Sequence, residues 1–365
     1  MATGSAAWRS GLCGSFGRNE RVEHEIDFVV TWVDGSDPAW RREKAEYLKR
    51  ELLRGQKDSA GIQSDDSEER YRDWELLKYW FRGVEKFAPW VRKIHLITWG
   101  HLPDWLDERN PRLHVVRHED YIPGEYLPVF NSNVIEIYMH RIEGLARHFV
   151  YFNDDMFLIG KVSREDFFRD GKPCDMLAFQ PIVANPVNPV MSHLYLNNTL
   201  TLAKYFSKRE NVMRNPLHYF RPGYPPLYFF YNLLELAFPL YTGFYTVHGP
   251  SPFLKETFAE VWEKEGKALA EMSANRFRSE SDLTPYLFRE WQKLSGNFQP
   301  VNVQKSFGYY NLSENNSSLL RTIKGQKKKI ICINDGRIQG DFQRIKTELA
   351  EAFLRIVPEP CQFEK

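Results

Sequence analysis

Apolar, β-branched runs that end in acidic residues are the feature that most constrains this chain. IDFVVTWV (26–33) leads directly into Asp34, and FVYFNDDMFL carries Asp154 and Asp155 between apolar flanks. KKKIICINDG is a third run of the same kind. Short apolar runs bounded by turn signals are typical of buried strands. Because the carboxyl ends of strands in an open α/β sheet face the ligand crevice, the pattern predicts several carboxylates at one sheet edge.

Helical segments separate these strands. KIHLITWG and HVVRHED are typical of two further strands. Helices are predicted over 39–54, 70–87, 130–147, 251–272, 282–294 and 340–356. Strands that alternate with helices predict an α/β fold, with a mostly parallel sheet and helices on both faces.

Composition divides the chain into five segments. They are a disordered tail (1–24), an α/β half (25–180), an aromatic and proline-rich inserted helical region or lid (181–247), a second half that returns to the sheet (248–356) and a tail (357–365). Within the α/β half, the polar stretch 55–69 predicts a mobile loop.

Charge and cysteine content exclude several classes of protein. Of 365 residues, 49 are Lys or Arg and 48 are Asp or Glu, so the formal net charge of +1 lacks the basic excess of nucleic-acid-binding proteins. Four cysteines, at 13, 174, 332 and 361, show no paired short spacing, which argues against a zinc site or a disulfide framework. With no secretory signal and no long apolar stretch, we expect a cytoplasmic protein.

The acidic strand ends predict a divalent cation. Placing Asn153, Asp154 and Asp155 between apolar flanks costs several kcal/mol unless a charged or strongly hydrogen-bonding group meets them. Carboxylate oxygens suit Mg²⁺ or Mn²⁺, which usually bridge to substrate phosphates. A single acidic residue directly after a strand, such as Asp34, is equally typical of a turn.

Four sequence blocks occur in the order that defines one known family. They are IDFVVTWVDGSDP; the stretch from RYRDWELLKYW through HFVYFNDDMFL; HGPSPF followed by RFRSESD; and CINDG. Together they resemble the Stealth family of sugar-1-phosphate transferases, which includes bacterial capsule polymerases and the animal N-acetylglucosamine-1-phosphotransferase. The match is dense over 26–160 and thinner over 245–340.

The resemblance implies a fold and a reaction. The fold would be glycosyltransferase-A-like (Rossmann-like), with the nucleotide sugar bound by 25–180 and the acceptor near 181–247. The reaction would move a sugar-1-phosphate, expected to be N-acetylhexosamine-1-phosphate, from a UDP-sugar to a glycan hydroxyl. UMP would leave and a phosphodiester would form in capsular or cell-surface polysaccharide synthesis, with Mg²⁺ or Mn²⁺ as cofactor. Expected partners are the UDP-sugar, an oligo- or polysaccharide acceptor and, peripherally, membrane-bound capsule machinery.

The resemblance also implies roles for individual residues. His248 falls in the third block's His-x-Pro and Arg278 in its Arg-x-x-x-Asp, and both are expected to be catalytic together with Asp154. Asn334 and Asp335, in the last block, are expected to bind the cation with Asp154. The expected substrate-binding residues are Asp34, Asp37, Arg70, Asp73, Ser132, Glu136 and Asp282.

Two residues are candidates for the general base. His248 is favoured because the pKa of histidine lies near 7. Asp154 is the rival, although a metal-bound carboxylate is a poorer proton acceptor. From the residues alone, His248 could equally cap a helix predicted to begin near Ser251.

Two other functions fit the same scaffold. One is a metal-dependent glycosyltransferase that releases UDP, and the other is a catalytically silent carbohydrate-binding protein. The run Lys327–Lys329 is typical of a solvated face, although it could attract an anionic polymer or lipid. Arg209, Arg214 and Arg221 are candidates for a further phosphate-binding group.

Overall fold

The strand at the centre of the main sheet comes from the run predicted at 26–33. The computed structural model describes residues 24–53, 73–186, 189–335, 338 and 340–365. The strands are β1 (Ile26–Thr31), β2 (Ile94–Thr98), β3 (Leu113–Arg117), β4 (His148–Phe152), β5 (Met156–Leu158), β6 (Phe168–Arg169), β7 (Lys172–Asp175), β8 (Ser251–Leu254), β9 (Gln299–Pro300), β10 (Phe307–Asn311) and β11 (Ile330–Asn334). The helices are α1 (Pro38–Leu53), α2 (Leu77–Phe87), α3 (Ser132–Ile137), α4 (Arg164–Phe167), α5 (Pro189–Ala203), α6 (Lys208–Arg214), α7 (Pro216–Tyr219), α8 (Pro226–Glu235), α9 (Lys255–Ser273), α10 (Tyr286–Leu294), α11 (Ser317–Lys324) and α12 (Phe342–Ile356).

The main sheet has the strand order β3-β2-β1-β4-β8. β1 pairs in parallel with β2 and β4, β2 pairs in parallel with β3, and β8 is antiparallel to β4. A strand covered on both faces needs apolar side chains along its whole length. Accordingly, Phe28, Val29 and Val30 of β1 are fully buried. The predicted α/β fold with a mostly parallel sheet is confirmed.

Helices cover both faces of this sheet. Phe28 belongs to one apolar core with Trp80 of α2, whereas its neighbour Val29 belongs to a second core with Phe258 of α9 and Phe288 of α10. Successive side chains of a strand point to opposite faces, so the two cores lie on opposite sides of β1.

The predicted strand HFVYFNDDMFL is in fact two strands in two sheets. β4 belongs to the main sheet, and β5 belongs to a second sheet with the order β10-β11-β5. β11 runs parallel to β10 and antiparallel to β5. Asn153–Asp155 form the turn between them, with the Met156 backbone N–H donating to the Asn153 carbonyl over 3.1 Å. The polar residues that interrupt the apolar run therefore lie where the two sheets meet. A third, smaller sheet has the order β6-β7-β9.

Four predicted helices were wrong in their extent, of which α2 begins only at Leu77 and α10 only at Tyr286. The segment 130–147 is α-helical only over α3, where the Asn131 side chain caps the helix by accepting from the Asn133 backbone N–H over 3.1 Å. The helix predicted from Ser251 begins only at Lys255, because the four residues before it pair with β4 as strand β8. His248 therefore precedes a strand and does not cap a helix.

The predicted inserted helical region 181–247 contains α5 to α8, and the Asn198 side chain of α5 donates to the Thr284 hydroxyl over 2.7 Å. Residues 357–365 are packed, with Phe363 fully buried and Glu364 paired with Arg82 at 2.6 Å. Residues 1–23 and the predicted loop 55–69 lie outside the described residues. Among the described helices, none combines the length and the apolar character needed to cross a bilayer.

Candidate functional site

The carboxyl edge of the main sheet gathers residues from distant parts of the chain. Asp34 follows β1, and Asn153–Asp155 follow β4. β8 runs antiparallel to β4, with Ser251 opposite Tyr151, so the loop that precedes β8 returns to this same edge. His248 lies in that loop, and the topology therefore brings it beside Asp155.

His248 is held by a hydrogen bond at each ring nitrogen. Nε2 lies 3.2 Å from Asp155 Oδ2, and Nδ1 lies 2.9 Å from the Tyr286 hydroxyl. Because an ionised carboxylate only accepts, we assign the hydrogen to Nε2, which leaves Nδ1 as the basic nitrogen. Burial lowers the pKa of His248, but the hydrogen bond and charge of Asp155 outweigh burial and raise it above its ordinary value. The side chain is 35% exposed, so a substrate group can reach it.

Cys332 of β11 contacts the same carboxylate. Its Sγ lies 3.1 Å from Asp155 Oδ2. Burial, together with Asp155, raises the pKa of the thiol far above its usual range, so the thiol stays protonated and donates its hydrogen. One donor atom each from Asp155, His248 and Cys332 lies within 4.8 Å of the others, which is a set that zinc could use. Because the thiol stays protonated, the three residues form a hydrogen-bonded group and not a set of metal ligands. Both ring nitrogens of His248 already have a hydrogen-bond partner.

Three predicted residues meet on the other side of His248. Arg278 Nη2 donates to the Ser132 hydroxyl over 2.7 Å, and the hydroxyls of Ser132 and Tyr151 hydrogen-bond to the Glu136 carboxylate. Ser132 and Glu136 share one face of α3, because they are four residues apart. Burial raises the pKa of Glu136 to about 7, although Arg278 and His248 lower it. Glu136 can therefore hold or release a proton near neutral pH.

Asp282 positions the loop that carries Arg278. Its carboxylate is fully buried and accepts from the side-chain amides of Asn131, Asn133 and Asn275 over 2.7, 3.2 and 2.8 Å. The predicted role of Asp282 as a substrate ligand does not fit this position, because a carboxylate enclosed by protein amides does not face the crevice.

Asp154 lies in the turn between β4 and β5. Its side chain is exposed to solvent although many protein atoms surround it. Loss of hydration, followed by the negative charges of Asp155 and Asp73, raises the pKa of Asp154 to about 7. These carboxylates therefore repel one another in the free protein.

This acidic group fits a divalent cation. Oδ1 of Asp155 is buried and has no hydrogen-bond partner in the described part of the chain, which is costly for a carboxylate oxygen. Carboxylate oxygens are the ligands that Mg²⁺ and Mn²⁺ prefer. Asn334 is the last residue of β11 and Asp335 follows it, at the same junction where the Ile333 N–H donates to the Asp155 backbone carbonyl over 2.8 Å. Asp335 Oδ2 also accepts from the Trp74 indole N–H over 3.2 Å.

The remaining predicted substrate-binding residues follow β1 or precede α2. Asp37 accepts from two backbone N–H groups of α1, at 2.7 and 2.8 Å, and so caps that helix. The Asp34 carboxylate accepts from the Ser36 N–H over 2.8 Å, and the Asp34 N–H donates to the His101 ring over 2.7 Å. Arg70 lies outside the described residues.

Sequence reasoning noted Asp155 only as one of the acidic strand ends, and it missed Tyr151, Cys332 and Tyr286. Tyr151 and Cys332 lie within continuous apolar runs, so no local pattern indicates a polar contact at either residue. Tyr286 has no local signal, because its role depends on α10 packing beside the His248 loop.

Acid–base side chains gathered at the carboxyl edge of a parallel sheet define an α/β protein with an enzyme-like crevice. Two family models match the chain: Stealth protein CR1, conserved region 1, over residues 24–51, and Stealth protein CR2, conserved region 2, over residues 70–175.

Several curated relatives are similar over nearly their full length. The capsular polysaccharide phosphotransferase WcwK of Streptococcus pneumoniae is 40% identical over 93% of this chain and 98% of its own length. The receptor polysaccharide phosphotransferase WefC of Streptococcus gordonii is 39% identical over 93% and 99%. The exopolysaccharide phosphotransferase cps2G of Lactiplantibacillus plantarum is 36% identical over 93% and 96%. The chain therefore belongs to the Stealth family, which confirms the resemblance.

Replacing Asp155 should change the protonation of His248. In Asp155→Asn, the ring keeps the burial that lowers its pKa but loses the charge that raises it. We therefore expect the pKa of His248 to fall below its wild-type value. Proton NMR titration of the ring Cε1–H measures this, with the resonance assigned from its absence in His248→Ala. Asp104→Asn, at an exposed position, serves as the control, and an unchanged pKa in Asp155→Asn would contradict the pairing.

Proposed function

We propose that this protein transfers a sugar-1-phosphate from a UDP-sugar to a hydroxyl group of a glycan acceptor, releasing UMP. The relatives are named phosphotransferases of capsular, receptor or extracellular polysaccharide, which supports a phosphotransferase in cell-surface polysaccharide synthesis. The observation that carries the proposal is the His248–Asp155 pair beside Arg278 at the carboxyl edge of the sheet. An N-acetylhexosamine as the donor sugar stays a prediction.

His248 is placed to act as the general base. We infer that the acceptor hydroxyl replaces the Tyr286 hydroxyl at Nδ1 and gives its proton to that nitrogen. The hydroxyl oxygen then bonds to the phosphorus next to the donor sugar. The bond from that phosphorus to the bridging oxygen breaks, and UMP leaves with the oxygen and its electron pair. Asp155 keeps the ring oriented and stabilises the imidazolium that forms.

Arg278 would stabilise the charge on the phosphoryl oxygens. Phosphoryl transfer depends chiefly on positioning and on electrostatic stabilisation, which a guanidinium can supply to two oxygens at once. Ser132 contacts Arg278 directly, and Asp282 fixes its loop, so both act as positioning residues. Glu136 contacts Ser132 and lies within electrostatic range of Arg278 and His248.

Asp154, Asn334 and Asp335 would hold Mg²⁺ or Mn²⁺ under this proposal. Such an ion neutralises charge on the phosphates of the donor. The support is the loss of hydration and the repulsion from Asp155 and Asp73, which raise the pKa of Asp154, together with the Oδ1 of Asp155 that has no hydrogen-bond partner among the described residues.

Peripheral association with membrane-bound capsule machinery and a cytoplasmic location also stay predictions. What supports a peripheral surface is a cluster of exposed large apolar side chains between residues 213 and 240. They are Met213, Leu217, Leu227, Phe229, Phe230, Leu233, Leu234, Leu236, Phe238 and Leu240. Exposed apolar patches of this kind mark interaction sites.

The released nucleotide tests the proposed reaction. Purified protein is incubated with a panel of UDP-sugars, Mg²⁺ or Mn²⁺ and oligosaccharide acceptors, and the products are separated by chromatography. We expect UMP and a product that contains a new phosphodiester, detected by ³¹P NMR. Release of UDP would replace the proposal with ordinary glycosyl transfer, and UDP-sugar binding without any release would indicate a silent scaffold.

Replacing the proposed base, His248, should stop turnover but leave binding of the UDP-sugar donor intact. We expect His248→Ala to lower kcat by about 10²–10⁴-fold, because the base acts in the chemical step. Binding of UDP-sugar, measured by calorimetry, should stay within about twofold. His218→Ala, which removes a half-buried histidine packed on Phe298, is the matched control. Equal kcat in both variants would remove His248 as the base.

Removing the cation should stop turnover reversibly. We expect EDTA to abolish UMP release and Mg²⁺ or Mn²⁺ to restore it. Asp154→Asn should require at least about 10-fold more metal for half-maximal rate and should bind Mn²⁺ correspondingly less tightly in calorimetry. Asp104→Asn should match the wild type. Full activity in EDTA would exclude the cation role.

A further inference from the structure

A cavity of about 830 Å³ lies behind the loop that carries His248. Val247, Gly249 and Pro250 form part of its wall. Phe307 also lines it and packs so closely on Gly249 that a Cβ at that position would lie 2.8 Å from the ring. A cavity of this volume is large enough for a ligand of several rings. None of the roles derived above uses it.

The lining of this cavity is strongly basic. Eight Lys or Arg side chains line it against one acidic side chain, Asp166, whereas the whole chain carries a formal net charge of only +1. The positive charge is therefore concentrated here locally. A cleft lined by charges of one sign focuses its field and attracts ligands of the opposite sign.

Part of this charge is already neutralised within the protein. Arg289 pairs with the buried Asp175 at 2.6 Å, and Lys329 pairs with Asp166 at 2.7 Å. Four other lining side chains make no ion pair or hydrogen bond within the described ranges of the chain. They are Lys161, Arg221, Lys305 and Lys327. Three of the four are exposed, so solvent screens their mutual repulsion, but together they leave positive charge at the cavity that an anion can pair with.

We infer that the cavity binds phosphodiester groups of the growing polysaccharide, an inference that rests on the proposed function. A phosphodiester-linked chain carries one negative charge for each unit already added. The chain end that presents its hydroxyl to His248 must bring these charges past the loop 247–250. The four cations without partners among the described residues match the phosphodiesters, and the half-buried ring of Phe307 in the lining suits the apolar face of a sugar.

The cavity differs from the expected place of the donor phosphates. Those phosphates belong with Arg278 and Asp154, neither of which lines the cavity. In this arrangement the loop 247–250 lies between two binding regions. The donor binds on the side of Arg278 and Asp154, and the product chain binds in the cavity lined by Lys and Arg. This arrangement favours an acceptor that already contains phosphodiesters over a neutral glycan.

Binding of a charged oligomer tests the inference. The probe is a fluorescent oligomer of N-acetylglucosamine-1-phosphate with three phosphodiesters, and neutral chitotetraose is its uncharged counterpart. We expect the wild type to bind the charged oligomer at least about tenfold more tightly than chitotetraose by fluorescence anisotropy. The double variant Lys305→Gln/Lys327→Gln should lose about tenfold or more for the charged oligomer alone. Both lysines are exposed, so the fold should persist.

Control measurements separate this inference from the proposed reaction. Lys267→Gln, at a 91% exposed position on α9, should bind the charged oligomer like the wild type. The double variant should still release UMP with a neutral acceptor at the wild-type rate.

Equal binding of the two oligomers, or an unchanged affinity in the double variant, would overturn the inference. Binding that depends on Lys305 and Lys327 could instead be found with vesicles of anionic phospholipid and not with the oligomer. That result would overturn the inference in favour of a lipid headgroup. Oligomer binding that depends on Lys305 and Lys327, without UMP release from any donor, would support the cavity assignment and refute the proposed reaction.

Discussion

The turn at Asp155 is the point on which the rest of the site depends. Its backbone carbonyl accepts from Ile333 and joins the second sheet to the end of the first, while its carboxylate holds His248 and Cys332. The position of His248 is thus tied to the register of β5 against β11. A slip of one residue would turn the side chains of β11 to the opposite face, and Cys332 would leave the carboxylate. The pairing of β5 with β11 therefore fixes the position of His248, the candidate base.

Two carboxyls in this crevice have a pKa raised to about 7, for related reasons. Glu136 is buried beneath the Arg278 loop, and Asp154 is crowded by Asp155 and Asp73. In each case, lost hydration is the largest contribution, and it would destabilise the ionised form without a compensating charge. Perturbed carboxyls in a cleft are typical of functional sites, where a ligand supplies the missing charge. Under the proposed function, a divalent cation would supply this positive charge beside Asp154, and Arg278 and His248 supply part of it beside Glu136.

Much of the site could be foreseen from local signals. Asp154 stands in a polar interruption of an apolar strand, and Ser132 and Glu136 are spaced to share a helix face. The family resemblance added His248 and Arg278, which no local pattern distinguishes from surface residues. Asp282 was assigned to the substrate from its place in the family block, and its burial was not foreseen because two of its amide partners, Asn131 and Asn133, lie about 150 residues away in sequence. The helix over 130–147 was overextended because the apolar pattern continues after α3 ends.

The sequence by itself determined β1 to β4 of the main sheet, the acidic residues that follow β1 and β4 and the membership of the Stealth family. These follow from hydrophobic periodicity and from blocks of contiguous residues, both of which act over short distances along the chain. Only the tertiary structure decided that Asp155 contacts His248, that Asp282 is buried and that eight cations surround one cavity. Each of these depends on which segments the sheet order brings together. β8 returns antiparallel to β4, and β11 pairs with β5; both strands are almost wholly buried, and the polar contacts of the site follow from these pairings.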